Sequence, residues 1–192
     1  DIADTLERLA APYADKCKRD TLGNLIVRRK GKGPKVMFSA HMDSIGMIVT
    51  HIDEKGFLRF GKLGGLSPQE ILSAPVRFRN GTRGLIALEN KVEPKEMKLE
   101  NLYIDIGARS REEAEALVQL GDTAVYDTPC FVTGKRIVSP YLDNRISCVV
   151  LLMALERLGK CDNDLYFVFS VQEELGLRGA RTAAYGIDPD YG

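Results

Sequence analysis

The sequence of 192 residues lacks a net charge and lacks any long apolar run. Its 27 lysines and arginines balance 27 aspartates and glutamates. A protein dedicated to nucleic acid or to a membrane surface usually carries a basic face, so the balance argues against both classes of partner. No apolar run approaches the roughly 20 residues that a membrane-spanning helix needs, and the start shows no signal-peptide pattern. We therefore expect neither a membrane nor a nucleic-acid partner.

Closely spaced cysteines are also missing. The four cysteines, which include no C-x-x-C pair, are Cys17, Cys130, Cys148 and Cys161. Such scattered thiols argue against a disulfide framework and indicate reduced cysteines in a cytoplasmic protein. Cys148 lies in a very apolar segment, which predicts a small core residue. Internal repeats are absent too. A chain of this length can form one main core and a small second module, which is the organisation that we predict.

The most informative stretch runs from Val168 to Gly176, where an apolar, strand-like segment ends in Glu173 and Glu174. Acidic side chains rarely sit beside a buried strand unless something pairs with them. Ligands of open α/β sheets bind at the carboxyl ends of the strands. One glutamate could therefore hold a cation while the other transfers protons. The alternative is a solvated turn that happens to contain two acids.

A second polar pair follows the apolar run Val36–Ala40. Positions two apart in an extended segment point to the same side, so His41 and Asp43 can face one pocket. A carboxylate beside a metal-binding histidine commonly fixes the orientation of its ring. A lone histidine is more often structural, and that alternative stays open for His41. The other histidine, His51, is predicted to be structural, because no acidic residue around it has ligand spacing.

The middle of the chain changes to short, strand-like runs separated by glycines and prolines. Two of these runs flank Asn80–Gly81, which is a strong hairpin signal. We therefore predict an α/β domain formed by residues 1–52 and 134–192. A compact β-rich insert over residues 53–133 would interrupt it.

Helical character returns after the insert. Residues Ile146–Leu158 are apolar nearly all round, which predicts a helix buried on most sides. Asp143 stands at the start of this helix, either as its N-cap or as a carboxylate ligand that the helix holds in place. His41, Glu173 and Glu174 would then share one rim of a sheet with it. A histidine with carboxylates suits zinc, cobalt or manganese, so the pattern predicts metal-assisted hydrolysis.

Four ordered motifs resemble one known family. The motifs are Ser39–Gly46, Ile104–Ala108, Leu142–Arg145 and Val171–Ala180, and the match runs from about Leu22 onward. They resemble the tetrahedral aminopeptidases, which are also known as glutamyl, deblocking or "cellulase M" aminopeptidases. The resemblance implies a zinc-peptidase-like α/β domain that has a mixed sheet with helices on both faces. It also implies that the β-rich insert is a dimerisation domain and that dimers build a homododecamer.

The resemblance also assigns roles to individual residues. His41 would be a terminal ligand of one metal ion, Asp143 would bridge two ions, and Glu174 would bind the second ion. Glu173 would be the general base, and Asp43 would orient His41. The two divalent ions would be zinc or cobalt, with manganese as a further option. In relatives the peptide bond after the bridging aspartate is cis, which predicts a cis bond after Asp143.

Two ligands of that family have no counterpart in this sequence: an aspartate one strand after the glutamate pair, and a late histidine. The resemblance therefore leads us to expect an N-terminal portion, whose second catalytic part, residues 134–192, is truncated on its C-terminal side. Such a portion has too few ligands for a closed two-metal site. We expect it to be inactive by itself.

We predict a metal-dependent aminopeptidase that removes N-terminal residues from short peptides with two metal ions and a glutamate base. One alternative is a related dinuclear carboxypeptidase or deacylase, which uses similar histidine and glutamate motifs. The position of the insert directly after the first motif favours the aminopeptidase. Another alternative is a non-catalytic structural homologue that keeps the fold without metal. Glycoside hydrolysis is disfavoured, because the His-x-Asp pair has no role in that chemistry.

Overall fold

The computed structural model describes residues 1–90 and 92–192, which form helices and strands in mixed order. The elements in the first half of the chain are α1 (Ile2–Ala10), β1 (Lys16–Arg19), β2 (Leu25–Arg29), β3 (Lys35–His41), β4 (Gly46–Ile52), β5 (Leu58–Leu63), α2 (Pro68–Ile71), β6 (Pro75–Phe78) and β7 (Arg83–Leu88). The elements in the second half are β8 (Leu102–Asp105), α3 (Arg111–Glu115), β9 (Thr123–Tyr126), β10 (Phe131–Thr133), β11 (Arg136–Val138), α4 (Leu142–Arg157), β12 (Asp164–Ser170) and α5 (Arg178–Ile187). Single 3-10 turns lie at Ala11–Tyr13, Pro94–Glu96 and Leu99–Asn101. None of the helices described here has both the length and the apolar character that crossing a membrane requires.

The chain divides into two compact units. The first unit contains residues 1–44 and 141–192, and the second contains residues 45–140. The second unit is wider than the predicted insert over residues 53–133. On its N-terminal side the reason is that β4 pairs with β5 and β9, which are strands of the second unit.

A mixed four-stranded sheet forms the centre of the first unit. Its strand order is β1-β2-β12-β3, with β12 parallel to β3 and antiparallel to β2. Side chains alternate between the two faces, because strand geometry repeats every two residues. Val27 and Phe167 share one core with residues of α1 and α4, whereas Val168 shares a second core with Ala183 of α5. The predicted mixed α/β architecture is confirmed, and helices cover both faces of this sheet.

Helix α4 is less buried than its apolar sequence predicts. Cys148 and Leu155 lie in the core of the first unit. Ile146, Val150 and Met153 are 53%, 57% and 41% exposed. Within the described residues, α1 and β3 pack against this helix and leave its other side open. Within the described residues the helix is therefore buried on one side, whereas its sequence predicts burial on most sides.

Six strands of the second unit close into a barrel in the order β4-β5-β8-β7-β6-β9. Its core consists of buried aliphatic and aromatic side chains, including Leu58, Ile86 and Ile104. The predicted hairpin at Asn80–Gly81 joins β6 to β7, and Gly81 has φ +93°, in the left-handed region that favours glycine. Strands β10 and β11 pair with each other outside the barrel. A role of this unit in dimerisation stays a prediction.

An ion pair holds the start of β12. Asp164 is 5% exposed, and Nε and Nη2 of Arg28 donate to its two carboxylate oxygens at 2.7 and 2.6 Å. The hydroxyl of Tyr166 donates to the same carboxylate at 3.2 Å. These hydrogen bonds, led by those of Arg28, hold the pKa of Asp164 below its usual value, although burial acts in the opposite direction. The folded protein therefore favours the ionised carboxylate.

Replacing Asp164→Asn should lower the free energy of unfolding at pH 7 by about 1–3 kcal/mol, the usual cost of losing hydrogen bonds to a charged group. A carboxylate whose pKa falls on folding stabilises the protein above its unfolded pKa of about 3.9, and this contribution is lost as the pH falls further. The deficit of the variant should therefore shrink when urea unfolding is measured at pH 3 instead of pH 7. Asp162→Asn, at an exposed position, is the control, with an expected change of about 0.5 kcal/mol or less. An equal deficit at both pH values would contradict the ionic interaction.

Candidate metal centre

The parallel pairing of β3 with β12 determines where the two polar motifs lie. Its register places His41, the last residue of β3, opposite Ser170, the last residue of β12. Both strands therefore leave the sheet at the same edge, where ligands of such sheets bind. Asp43 follows β3, and Glu173 and Glu174 follow β12. The two motifs meet although Asp43 and Glu173 are 130 residues apart in sequence.

Asp143 joins this group from the start of α4. The backbone departs from helical geometry at Asp143 and Asn144, and the peptide bond between them is cis, as predicted. The regular helix therefore begins after this kink, and Asp143 precedes it. Its Oδ1 lies 3.0 Å from Nε2 of His41, 102 residues earlier in the chain.

One ring nitrogen and two carboxylates form a candidate ligand set. One ligand atom from each of His41, Asp143 and Glu174 lies within 4.8 Å of the others. Zinc binds nitrogen and oxygen donors at about 2.0–2.2 Å in a tetrahedral arrangement, so two donors of one ion are about 3.4 Å apart. Oε2 of Glu173 is 3.6 Å from Nε2 of His41, so this glutamate lies beside the set. The size and the donor types of the set fit a divalent cation.

The ring of His41 is 7% exposed and is held on its Nδ1 side. Nδ1 lies 3.3 Å from the carbonyl oxygen of Asp43 and 3.5 Å from Oδ1 of the same residue. Both oxygens are acceptors, so a hydrogen on Nδ1 would point to them and would leave the lone pair of Nε2 free for a cation. A histidine that binds metal through Nε2 needs this tautomer.

Cys148 supports the same strand end from the core. Its thiol donates to the carbonyl oxygen of His41 at 3.2 Å. Burial raises the pKa of this thiol to about 11, so it remains protonated and able to donate. The predicted core residue therefore also contacts the backbone of the site.

The carboxylate of Asp43 makes contacts that the sequence motif does not reveal. Its Oδ1 accepts a hydrogen bond from the backbone N–H of Glu173 at 3.2 Å, and its Oδ2 accepts one from that of Glu174 at 3.3 Å. Asp43 therefore holds the backbone of the glutamate pair as well as lying beside His41. Its predicted role in orienting His41 stays a prediction.

Negative charge accumulates at this edge of the sheet. Within residues 1–90 and 92–192, no lysine or arginine forms an ion pair with Asp43, Asp143, Glu173 or Glu174. Burial raises the pKa of Glu174; His41 acts in the opposite direction, and the neighbouring carboxylates add to the rise. A bound cation would neutralise this charge and favour the ionised carboxylates, which again fits a metal site.

Asn24 is a candidate that its sequence context does not reveal. It is fully buried, and its side chain contacts both ends of the turn that carries the glutamate pair, at Val171 and Gly179. In the sequence it reads as an ordinary turn residue before an apolar strand, a position where asparagine is common. His51, by contrast, is exposed on β4 in the second unit, outside the candidate centre.

Comparison with known proteins connects the chain with peptidases. The family of M42 glutamyl aminopeptidases matches residues 23–192 of this chain. The lysyl aminopeptidase of Pyrococcus furiosus is 39% identical in an alignment of 204 residues, gaps included, which covers 100% of this chain and 59% of that protein.

Two solved structures have closely similar folds. Aminopeptidase APDkam598 from the archaeon Desulfurococcus kamchatkensis has a TM-score of 0.92 and 42% identity, over 98% of this chain and 55% of that one. The TET1 peptidase of Pyrococcus horikoshii has a TM-score of 0.87 and 35% identity, over 99% of this chain and 61% of that one. That peptidase is described as assembling into a tetrahedron or a large octahedral shell. The chain spans somewhat more than half the length of these relatives.

The two histidines allow a matched test of metal binding in the full-length protein. Zinc or cobalt at 100 times its Kd should raise the free energy of unfolding by about 2.7 kcal/mol. His41→Ala should lose most of this rise, because it removes the nitrogen donor of the ligand set. His51→Ala should retain the rise. Unfolding curves with and without metal measure both, and an undiminished rise in His41→Ala would show that His41 is not a ligand.

Proposed function

This chain belongs to the M42 glutamyl aminopeptidase family, and on that premise we propose that the full-length protein is a metal-dependent aminopeptidase. Its substrates would be short peptides, from which it removes N-terminal residues. The observation that carries the proposal is the convergence of His41, Asp143 and Glu174, with Glu173 beside them. A hydrolase of this type needs cation ligands and a free carboxylate together, and the side chains at this edge of the sheet are suited to both roles.

We propose that His41 would hold one metal ion and Glu174 a second, and that both ions would share Asp143 as a ligand. The side chain of Asp143 is 84% exposed, so its second oxygen remains accessible to a second ion. Asp43 would keep the ring of His41 in place from its Nδ1 side. Two divalent ions, zinc or cobalt with manganese as a further option, would polarise the scissile carbonyl and lower the pKa of water.

Glu173 would act as the general base. Its backbone is bound by Asp43, while its side chain is 33% exposed and lies next to the ligand set. The carboxylate can therefore reach a water molecule at the site without being a ligand. It would accept a proton from the water that attacks the peptide carbonyl, and it would pass that proton to the leaving amine.

Glu173→Gln in the full-length protein should lower kcat on an unblocked short peptide by about 10²–10⁴-fold, the usual contribution of a general base. Metal affinity should remain unchanged, because the amide replaces a group that is not a ligand. Peptide hydrolysis measured by chromatography, together with metal titration, checks both expectations. Glu115→Gln, at an exposed position in the second unit, is the matched control and should leave kcat unchanged.

The same assay separates the proposed activity from its alternatives. An aminopeptidase should release the first residue of a peptide that is amidated at its C-terminus. Release of the last residue of a peptide with a free C-terminus would identify a carboxypeptidase instead, and removal of an acyl group alone a deacylase. A full-length protein that binds no metal and cleaves none of these peptides would be a structural homologue. Full activity of Glu173→Gln would exclude this residue as the base.

We also propose that the protein forms a homo-oligomer through its second unit, with dimers building a dodecamer. The second unit exposes large apolar side chains: Leu85, Leu120 and Val132 are 47%, 65% and 71% exposed. Contact with another copy would remove this surface from water, which favours association. The assembly described for the TET1 peptidase of Pyrococcus horikoshii supports the same expectation.

Light scattering of the purified full-length protein should give the mass of twelve subunits, with a dimer as the product of partial dissociation. The apolar contact area should make the assembly resistant to salt, because burial of apolar surface does not depend on charge screening. A monomer at micromolar concentration would contradict the proposed assembly.

A further inference from the structure

The turn between β12 and α5 carries both glutamates in an unusual backbone conformation. Residues 171–179 are called the carboxylate turn below. Gln172 and Leu177 have φ values of 55° and 62°, in the left-handed region that residues with side chains rarely occupy. Such conformations persist only where the surrounding structure imposes them. The contacts of this turn with the rest of the first unit therefore decide where Glu173 and Glu174 lie.

Asn24 connects the two ends of the carboxylate turn. Its Oδ1 accepts a hydrogen bond from the backbone N–H of Val171 at 3.0 Å, and its Nδ2 donates to the carbonyl oxygen of Gly179 at 2.9 Å. The backbone closes between the same two residues, because the N–H of Gly179 donates to the carbonyl oxygen of Val171 at 3.0 Å. Asn24 has no exposed surface, so solvent has no access to these bonds.

Asn24 is itself held by Asp20. Its Nδ2 donates to Oδ2 of Asp20 at 2.6 Å. Oδ1 of Asp20 accepts hydrogen bonds from the backbone N–H groups of Leu22, Gly23 and Asn24 at 3.0, 2.9 and 2.9 Å. The amide of Asn24 therefore has partners for its oxygen and for both of its hydrogens. A buried polar network that is fully satisfied in this way makes the structure around it rigid.

The end of the β2–β12 ladder explains why a side chain is needed here. The antiparallel pairing ends with Leu25 opposite Phe169. Gly23 has φ +104°, and the chain turns away there, so its backbone does not continue the ladder. The N–H of Val171 would lose its partner in the sheet, and the side chain of Asn24 takes that place.

The absence of a side chain at Gly179 marks the same junction independently. A Cβ atom at this position would lie 2.4 Å from Oδ1 of Asn24 and 2.2 Å from the carbonyl oxygen of Val171. Contacts this short are far inside van der Waals distance, and the nearest atoms belong to the backbone and to a fully bonded amide. The junction therefore accepts glycine alone without moving the turn or Asn24.

We infer that Asn24 is a positioning residue of the candidate metal centre. Through Val171 and Gly179 it holds the ends of the carboxylate turn, while Asp43 holds its middle. It acts through the backbone, since its hydrogen bonds reach neither glutamate side chain. The inference depends on the proposed function for the roles of Glu173 and Glu174, but the contacts themselves do not.

Hydrogen–deuterium exchange and metal titration of the full-length protein test this inference. In Asn24→Ala, amides of residues 171–179 should exchange at least about 10-fold faster, and metal affinity and kcat should each fall about 10–100-fold, as for supporting residues of other metal sites. KM should change little, because the substrate pocket is not altered directly. Val27→Ala is the matched control: it lies buried in β2 and destabilises the core without touching the bonds of Asn24. It should affect strand and turn amides alike.

Equal turn exchange and equal metal affinity in Asn24→Ala and Val27→Ala would overturn the inference. Asn24→Ser keeps a small polar side chain and adds no charge beside Asp20, but it is too short to reach both Val171 and Gly179, so it serves as a second variant if Asn24→Ala does not fold. Wild-type turn exchange and metal affinity in Asn24→Ser would also overturn the inference. A wild-type protein without aminopeptidase activity would reject the proposed function alone, because exchange and metal binding are measured without substrate.

Discussion

The parallel ladder between β3 and β12 is the constraint on which the candidate centre depends. It pairs residues from Asp164 opposite Lys35 to Ser170 opposite His41. A shift of one residue would turn every side chain of the strand to the other face and would separate the two motifs. The strand β12 is accordingly held near both ends against β2, by the Arg28–Asp164 pair at its start and by Asn24 just beyond its end. These contacts preserve the register that the centre needs.

Several acidic side chains lie close together in the candidate centre, an arrangement that does not stabilise a fold unless a cation binds there. Buried charges are costly unless they are paired. Within the described residues, no lysine or arginine pairs with the carboxylates of the centre. The fold limits this cost by giving Asp43 two backbone N–H donors and by leaving Asp143 open to water. Left-handed backbone at Gln172 and Leu177 adds to the strain. Such local costs are typical of functional sites and are offset by the core around them.

Much of the site could be predicted from local sequence, because each motif combines an apolar strand with polar residues at its end. The hairpin at Asn80–Gly81 has an equally local cause. Asn24 could not be predicted, because its partners Val171 and Gly179 lie 147 and 155 residues away. The exposed side of α4 could not be predicted for a related reason. The apolar residues of a helix indicate how much of its surface can be buried, but not which neighbouring elements cover it. The start of the second unit depends on which strands β4 pairs with. An apolar run predicts a strand but does not specify the strands beside it.

The chain leaves the first unit after residue 44 and returns to it at residue 141, so the whole second unit lies between His41 and Asp143 in sequence. The side chains of these two residues are nevertheless 3.0 Å apart. All five residues of the candidate centre lie in the first unit: His41, Asp43, Asp143, Glu173 and Glu174. Closing a loop costs only about 0.6 kcal/mol more for each doubling of its length, so inserts of very different size are compatible with the same centre. The length of residues 45–140 therefore places little constraint on the candidate centre. One candidate centre is in this way compatible with second units of different size.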